Sequence, residues 1–225
     1  LFENRYGQPE DYKQIAEGAL NTTAYVSTQA RKMVDSAKDA AKKANVSDSD
    51  ALSYIQGYTN NVPPEVAREL DGIRQAIDKW GDEAVKEGLL SPEKRKAGYL
   101  ARLYERHLID AYEPTLEARQ GAIDWLKRTK NASTDEEAEA IIQNILEGNG
   151  VKLVNGPAIP AKLGMSRFME RQDVPYPIRQ LLGEVSNPYY LAYRSIKDVA
   201  RDVTQVKLFK QIAENPLWSS QTPKP

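Results

Sequence analysis

The segment from residue 188 to residue 214 constrains the fold most, because its apolar residues recur at helical spacing without a break. Pro188 suits the first turn of a helix, since its missing N–H group has no partner there in any case. A helix with so wide an apolar face must bury it against other helices of the chain or against another chain. We therefore predict a long amphipathic helix with these candidate partner-packing residues: Tyr193, Ile196, Val199, Val203, Val206, Phe209 and Ile212.

Helices are predicted along most of the remaining chain. From Pro9 to about Ala44 the recurring small and apolar residues are rich in alanine, so this helix packs either closely on a neighbour or hardly at all. Pro64 to Gly88 gives the best-formed amphipathic helix of the first half. Shorter helices, opened by N-capping residues or prolines, are expected at 51–58, 116–129, between 133 and 148, and at 176–183. Residues 98–104 could form either a strand or a buried connector.

These patterns predict an all-α fold: an elongated multi-helix assembly with long amphipathic helices at both ends. Residues 148–164 are rich in glycine and proline, which predicts a loop or hinge. We accordingly expect an N-terminal helical arm at 1–62, a central helical region at 63–147, the hinge at 148–164 and a helical elbow with the long helix at 165–225.

Composition excludes several classes of chemistry. The 225 residues include no cysteine, which removes disulfides, thiolate metal sites and cysteine nucleophiles. The single histidine, His107, excludes multi-histidine metal sites. No apolar run approaches the length of a membrane-spanning helix. We therefore predict neither a metal nor another cofactor, and no membrane span.

One grouping of side chains resembles an acid–base site. Glu105, His107 and Asp110 place two carboxylates and an imidazole within one or two helical turns, a combination that can tune a general acid or base. Charges at this spacing are also common on solvated helices, and the sequence offers no nucleophile beside them. A hydrolase centred on these three residues is therefore an alternative, and we expect no catalysis.

Nucleic-acid binding is the second alternative. The net charge of −1 removes the general electrostatic case for it. Local basic residues remain, chiefly Lys94 to Lys96, with Arg102 nearby in the sequence. Such a run is usually a solvated end of a helix.

The C-terminal motifs resemble a stretch found in the large polyvalent proteins of tailed bacteriophages and prophages. The matching motifs are Phe168-Met-Glu-Arg171, Val174-Pro-Tyr-Pro-Ile-Arg179, Leu182-Gly-Glu-Val185, Asn187-Pro-Tyr-Tyr190 and the stretch from Asp202 through Leu208-Phe209-Lys-Gln-Ile-Ala-Glu-Asn-Pro216. A second block, Gly98-Tyr-Leu-Ala-Arg-Leu-Tyr104, precedes them in such proteins. Together the motifs span about half of the chain and include no active-site residue.

This resemblance implies a piece of a longer protein that is carried in the capsid interior and delivered into the host cytoplasm with the DNA. The expected function is that of a non-catalytic structural or interaction segment of such an internal virion protein. Its expected partners are other segments of the same large protein, other virion proteins, or a second copy of the chain.

Overall fold

The computed structural model describes residues 10–159 and 174–214. These residues form seven α-helices, and the prediction of an all-α fold is confirmed. Two short 3₁₀ helices, Pro92–Lys94 and Glu105–His107, lie between the third and fourth α-helices. The α-helices are α1 (Glu10–Lys43), α2 (Asp48–Ile55), α3 (Pro64–Lys86), α4 (Leu116–Arg128), α5 (Asp135–Leu146), α6 (Tyr176–Leu181) and α7 (Pro188–Glu214).

Local sequence signals set the ends of these helices. The hydroxyl of Ser47 accepts the backbone N–H of Asp50 at the start of α2, and Thr115 and Thr134 cap α4 and α5 in the same way. Pro64 occupies the first turn of α3, where it costs no hydrogen bond. Gly88 follows α3 with a φ of 80°, a left-handed conformation that glycine adopts without strain.

The chain divides into two compact units. Of the described residues, unit 1 combines those up to Leu100 with those from Asn187 onward, and unit 2 contains those inserted between them, from Ala101 to Ser186. This division differs from the four consecutive segments predicted above. An amphipathic helix buries its face against whichever helix matches it, and α1 finds that match in α7, far along the chain.

The predicted hinge at 148–164 does not coincide with a boundary between units. Its described part, 148–159, lies inside unit 2, where Val151 and Ile159 exchange two backbone hydrogen bonds of 2.8 and 2.7 Å. Leu153 and Ile159 are buried in the core of that unit. Glycine and proline indicated a loop correctly, but the apolar residues between them fix that loop in place. Residues 160–164 lie outside the described residues.

In unit 1, α1 runs antiparallel to both α7 and α3. Ser27 of α1 meets Tyr193 near the start of α7, with the two hydroxyl oxygens 2.9 Å apart, and earlier α1 residues lie beside later α7 residues. Ser36 donates a hydrogen bond to Glu69 of α3 (2.8 Å), and α2 packs on α3 and α7. The large buried side chains of α2, α3 and α7 include Ile55, Val66, Leu70, Ile73, Leu191, Ile196 and Val203.

The alanine-rich face of α1 divides into two halves. Ala30, Val34, Ala37 and Ala41 are all buried, and their small side chains allow neighbouring helices to approach closely. Between residues 12 and 29, in contrast, Ala16 is the only buried residue. The sequence predicted that this helix packs either closely on a neighbour or hardly at all. The second half of α1 shows the first outcome, and the first half is close to the second.

Residues 91–100 form a connector held against α3 by Arg95. Its guanidinium donates to the carboxylates of Asp78 (3.0 Å) and Asp82 (2.9 Å). The backbone N–H of Gly98 donates to the same Asp78 oxygen (2.8 Å). Because Leu100 at the end of this connector is buried, the first residues of the 98–104 segment form a buried connector.

Unit 2 packs α5 and α6 against α4. Its core also receives Tyr104 from the segment before α4 and Leu153 and Ile159 from the loop after α5. None of the described helices in either unit has a stretch long and apolar enough to cross a lipid bilayer. The helical core of unit 2 consists of Ala122, Ile123, Leu126, Ala138, Ile142, Ile145, Leu146, Ile178 and Leu181.

Candidate functional site

Two segments of unit 2 that are far apart in the sequence meet along their backbones. The N–H of Val185 donates to the carbonyl oxygen of Leu103 (2.9 Å), and the N–H of Glu105 donates to that of Gly183 (2.9 Å). Tyr104 and Glu184 form an isolated antiparallel bridge between these bonds. We call residues 102–112 and 176–185 together the junction. The phage resemblance rests on two sequence blocks. The junction brings the end of the first block, at Tyr104, into contact with the Leu182–Val185 motif of the second block.

Gly183 allows this close approach. Its φ of 68° lies in the left-handed region, and a Cβ atom at this position would lie 2.7 Å from the hydroxyl oxygen of Tyr112 and 3.0 Å from Cβ of Glu105. The Tyr112 hydroxyl donates to the carbonyl oxygen of Leu181 at the end of α6 (3.0 Å). A side chain at Gly183 would therefore separate α6 from the segment that contains Glu105 and Tyr112.

Glu184 provides the charge at the centre of the junction. Its side chain is 18% exposed, and its two oxygens face two different arginines. Arg179 Nη1 lies 2.6 Å from Glu184 Oε2, and Arg102 Nε lies 3.4 Å from Oε1. Arg179 also places its guanidinium 5.3 Å from the ring centre of Tyr176. One carboxylate therefore links the end of α6 to the segment before α4.

Arg106 adds a contact to a third element. Its Nε donates a hydrogen bond to the carbonyl oxygen of Leu146, in the last turn of α5. The carbonyl groups at the C-terminal end of a helix lack partners within the helix and carry partial negative charge, so a guanidinium is favourable there. The junction thus connects α5, α6 and the segment before α4.

Tyr104 is the buried aromatic residue of the junction, with only 2% of its surface exposed. Burial, together with the negative charge of Glu184, raises the pKa of its phenol. Burial likewise raises the pKa of Tyr112. Both hydroxyls therefore stay protonated well above neutral pH, so the hydroxyl of Tyr112 keeps the proton that it donates to Leu181.

The proposed acid–base residues Glu105, His107 and Asp110 lie in the junction or beside it. Glu105 and His107 are in the 3₁₀ helix, and Asp110 is in the turn that follows. The side chains of Glu105 and Asp110 are exposed, whereas His107 is partly buried and meets the ring of Tyr104 edge-on, with the ring centres 6.2 Å apart. Packing on Tyr104 explains why a histidine is accommodated here. The hydrolase alternative stays a prediction.

The basic residues considered for nucleic-acid binding fall in different units. Lys94, Arg95 and Lys96 belong to unit 1, and Arg102 belongs to unit 2. Arg95 is paired with two aspartates and Arg102 with Glu184, so neither presents an uncompensated positive charge. Lys94 and Lys96 are exposed. The nucleic-acid alternative now rests on these two lysines and stays a prediction.

The structure distributes the seven candidate packing residues of α7 over three environments. Ile196 and Val203 are buried inside unit 1, so α7 uses this part of its face within its own chain. Phe209 is 64% exposed. The remaining four, which are partly buried, are Tyr193, Val199, Val206 and Ile212.

Tyr193 shows how the centre of this face is used. Besides the contact between its hydroxyl and Ser27, its ring lies near two cations, with Arg31 at 5.8 Å and Lys197 at 5.6 Å from the ring centre. Arg31 and Ser27 both belong to α1. Tyr193 is therefore a contact between α1 and α7 inside unit 1.

Sequence reasoning missed the ion pairs that organise both units. Asp198 of α7 is buried although it is charged, with Arg194 3.0 Å from its carboxylate. The pairing of Arg95 with Asp78 and Asp82 also went unpredicted, although two aspartates four residues apart lie on one helix face and could have indicated a cation there. No local signal connects Glu184 with Arg102, because their pairing depends on the tertiary fold.

Two parts of the motifs that carry the resemblance, residues 168–171 and 215–216, lie outside the described residues. Within the described ranges, no group of three histidine, cysteine, aspartate or glutamate side chains is arranged to hold a metal ion.

No family model, curated protein or solved structure matches this chain.

Proposed function

We propose that this chain is a non-catalytic structural and interaction segment of a large polyvalent protein of a tailed phage or prophage. The parent protein would be carried inside the capsid and enter the host cytoplasm together with the DNA. The observation that carries this proposal is the junction, where the described residues of the two resembling blocks contact each other.

The chemistry of the junction supports an architectural role for those blocks. Its central carboxylate, Glu184, is shared by Arg102 and Arg179, and its buried phenol, Tyr104, lies in the core of unit 2. Gly183 is required by the close approach of Tyr112. Each of these residues has a structural reason to be present, and each reason concerns the packing of α6 against the preceding segments.

Exposed apolar side chains on unit 1 suggest where partners would bind. Leu20 and Tyr25 on α1 are 62% and 66% exposed, and Phe209 on α7 is exposed to a similar degree. Single exposed apolar residues are common on monomeric proteins, but long side chains on two packed helices are suitable anchors for a further helix. Other segments of the parent protein, other virion proteins or a second copy are the partners that we propose.

Protection inside purified phage particles tests this proposal. The parent protein would be tagged next to this segment, and particles would be treated with protease and nuclease before the tag is detected. We expect the tag to survive this treatment and to be lost once the particles are opened. A tag on an external tail protein is the matched control, because protease should remove it from intact particles.

Delivery is tested separately, by infecting cells with the tagged particles and fractionating them before new synthesis begins. We expect the tag in the host cytoplasm. A parent protein that is absent from particles would overturn the proposal, whereas a protein that is present in particles but not delivered would overturn only the ejection step.

A further inference from the structure

One end of unit 1 is built differently from the rest of that unit. It consists of residues 12–29 of α1 and residues 205–214 of α7, which we call the α1/α7 end. Ala16 is its only buried residue, whereas α7 has ten buried residues between Pro188 and Thr204. The apolar core that holds α7 in place therefore stops at Thr204.

An open groove of about 410 Å³ lies at this end. Its wall includes the small residues Gly18 and Ala19 of α1, and a Cβ atom added at Gly18 would meet no atom within 4 Å. Side chains that line an open groove make fewer packing contacts than side chains in a core. The residues that line the groove include Ile15, Gly18 and Ala19 of α1, Trp80 of α3, and Val203 and Leu208 of α7.

The first half of α1 is also a poor helix by composition. Gly18 and several threonines have low helix propensity, and the threonine hydroxyls donate to carbonyl groups four residues earlier. Thr22 bonds to Gly18 (2.8 Å), Thr23 to Ala19 (3.0 Å) and Thr28 to Ala24 (3.0 Å). The second half of α1, in contrast, is rich in alanine and lysine, which favour helix. Weak propensity and weak packing therefore coincide in residues 12–29.

Ion pairs hold the α7 part of this end to α3. Lys207 Nζ contacts the carboxylate of Glu83 and lies 3.9 Å from that of Glu87. Lys210 Nζ lies 2.8 Å from the Glu87 carboxylate and also donates to the backbone carbonyl of Glu87, the C-cap of α3 (3.2 Å). Lys86 Nζ of α3 lies 3.9 Å from the Glu83 carboxylate. These ion pairs begin just after Thr204, where the apolar core ends, and they hold the last turns of α7 against the end of α3.

We propose that the α1/α7 end opens locally while the rest of unit 1 stays folded, and that the pairs of Glu83 and Glu87 with Lys207 and Lys210 act as a latch on α7. Regions with few buried contacts open with a lower free energy than the core that supports them. Opening would expose the face of α7 that carries Val206 and Leu208. The local opening and the latch concern unit 1 alone, so this proposal does not depend on the role of the parent protein.

Hydrogen exchange of the intact chain under native conditions tests the opening. We expect the amides of 12–29 and 205–214 to exchange at least tenfold faster than those of 30–43, 66–84 and 191–204 after correction for intrinsic rates. Equal protection in all five ranges would mean that unit 1 opens only as a whole, and the proposal would be wrong.

The substitution Gly18→Ala separates local from global opening. It adds a methyl group to open space and raises helix propensity, so exchange of 12–29 should slow by about four- to fivefold while 66–84 is unaffected. Gly121→Ala in α4 is the matched control, because a Cβ atom there also meets nothing within 4 Å, but in unit 2. Slowing of 66–84 to the same extent as 12–29 would overturn the local opening.

The double substitution Glu83→Gln and Glu87→Gln tests the latch. We expect faster exchange of 205–214 with 191–204 unchanged, and a similar acceleration of the unsubstituted chain when salt is raised, because exposed charge pairs are screened. Glu139→Gln, which removes the partner of Arg119 in unit 2, is the control for loss of an ion pair. Unchanged exchange of 205–214 in the double variant and at high salt would exclude the latch.

Discussion

Arg95 lays its guanidinium across Gly81 of α3, so that a Cβ atom added at Gly81 would lie 2.7 Å from Arg95 Nε. An alanine inside a helix usually stabilises a protein by about 1 kcal/mol relative to glycine. At this position we expect Gly81→Ala to lower the free energy of unfolding of unit 1, because the guanidinium must leave its two aspartates.

A double-mutant cycle with Arg95→Ala checks this explanation. In the Arg95→Ala background the same alanine should become stabilising, since the clash is gone. Urea unfolding followed by Trp80 fluorescence, in a chain that carries Trp125→Phe and Trp218→Phe, reports on unit 1. An equal effect of Gly81→Ala in both backgrounds would show that Arg95 is not the cause.

Asp78 joins the connector to α3 through both Arg95 and the backbone of Gly98. Asp78→Ala removes both contacts, and we expect a loss of about 1 to 3 kcal/mol in the stability of unit 1. Asp82→Ala is the control, because the side chain of Asp82 is largely exposed and its pair with Arg95 should contribute less than about 1 kcal/mol. The Trp80 reporter measures both, and equal losses would contradict the central role of Asp78.

Gly183→Ala should destabilise unit 2 by about 1 to 3 kcal/mol, since it combines a left-handed backbone with a clash against Tyr112. Tyr112→Phe in the same chain removes the clashing hydroxyl but not the ring carbon at 3.0 Å, so it should restore only part of the loss. Trp125 fluorescence, with Trp80 and Trp218 replaced by phenylalanine, follows unit 2. Full restoration would mean that backbone strain at Gly183 is negligible.

Alkaline pH should destabilise unit 2 through Tyr104. Because its pKa is raised in the folded chain, the folded state holds this proton more tightly than the unfolded state does. The resulting stability is fully present below the unfolded pKa of about 10 and is lost as pH rises through the folded value. Tyr104→Phe should flatten the fall in stability above pH 10, measured by urea unfolding with the Trp125 reporter. An unchanged slope would remove Tyr104 as its cause.

DNA binding should be weak and easily screened. With Arg95 and Arg102 paired, Lys94 and Lys96 would neutralise about two phosphates, which limits the log–log salt slope to about −2. Fluorescence anisotropy with duplex and single-stranded DNA over a range of salt concentrations measures this. A steeper slope that drops on substitution of both lysines by alanine would favour the nucleic-acid alternative over the structural role.

Helix positions could be predicted well from this sequence because their signals are local. Apolar periodicity, caps such as Thr134 and prolines such as Pro64 and Pro188 act within a few residues of the boundary that they set. The beginning of α7 agrees with the expected Pro188, and the helix continues to Glu214, the last described residue. Glycine and proline are also local signals, and the loop predicted at 148–164 is observed over its described part, residues 148–159.

The grouping of helices and the contacts of charged residues were not predictable in the same way. Nothing near α1 indicates that its partner is α7, and nothing near Glu184 indicates Arg102. The burial of Asp198 was not predicted, because periodicity assigns charges to the solvent side, whereas a carboxylate beside Arg194 can be buried. These features depend on which elements meet, and one sequence without relatives carries little information about that.

The discontinuity of unit 1 has a consequence for how the protein is made. On the ribosome, α1 and α3 emerge long before α7, and the whole of unit 2 is synthesised between them. The buried alanines of α1 and the apolar side of α3 therefore stay incompletely covered until residues beyond Asn187 have left the exit tunnel. Unit 2, whose chain is continuous, has left the ribosome before the last segment of unit 1 is made, so its core can be completed first.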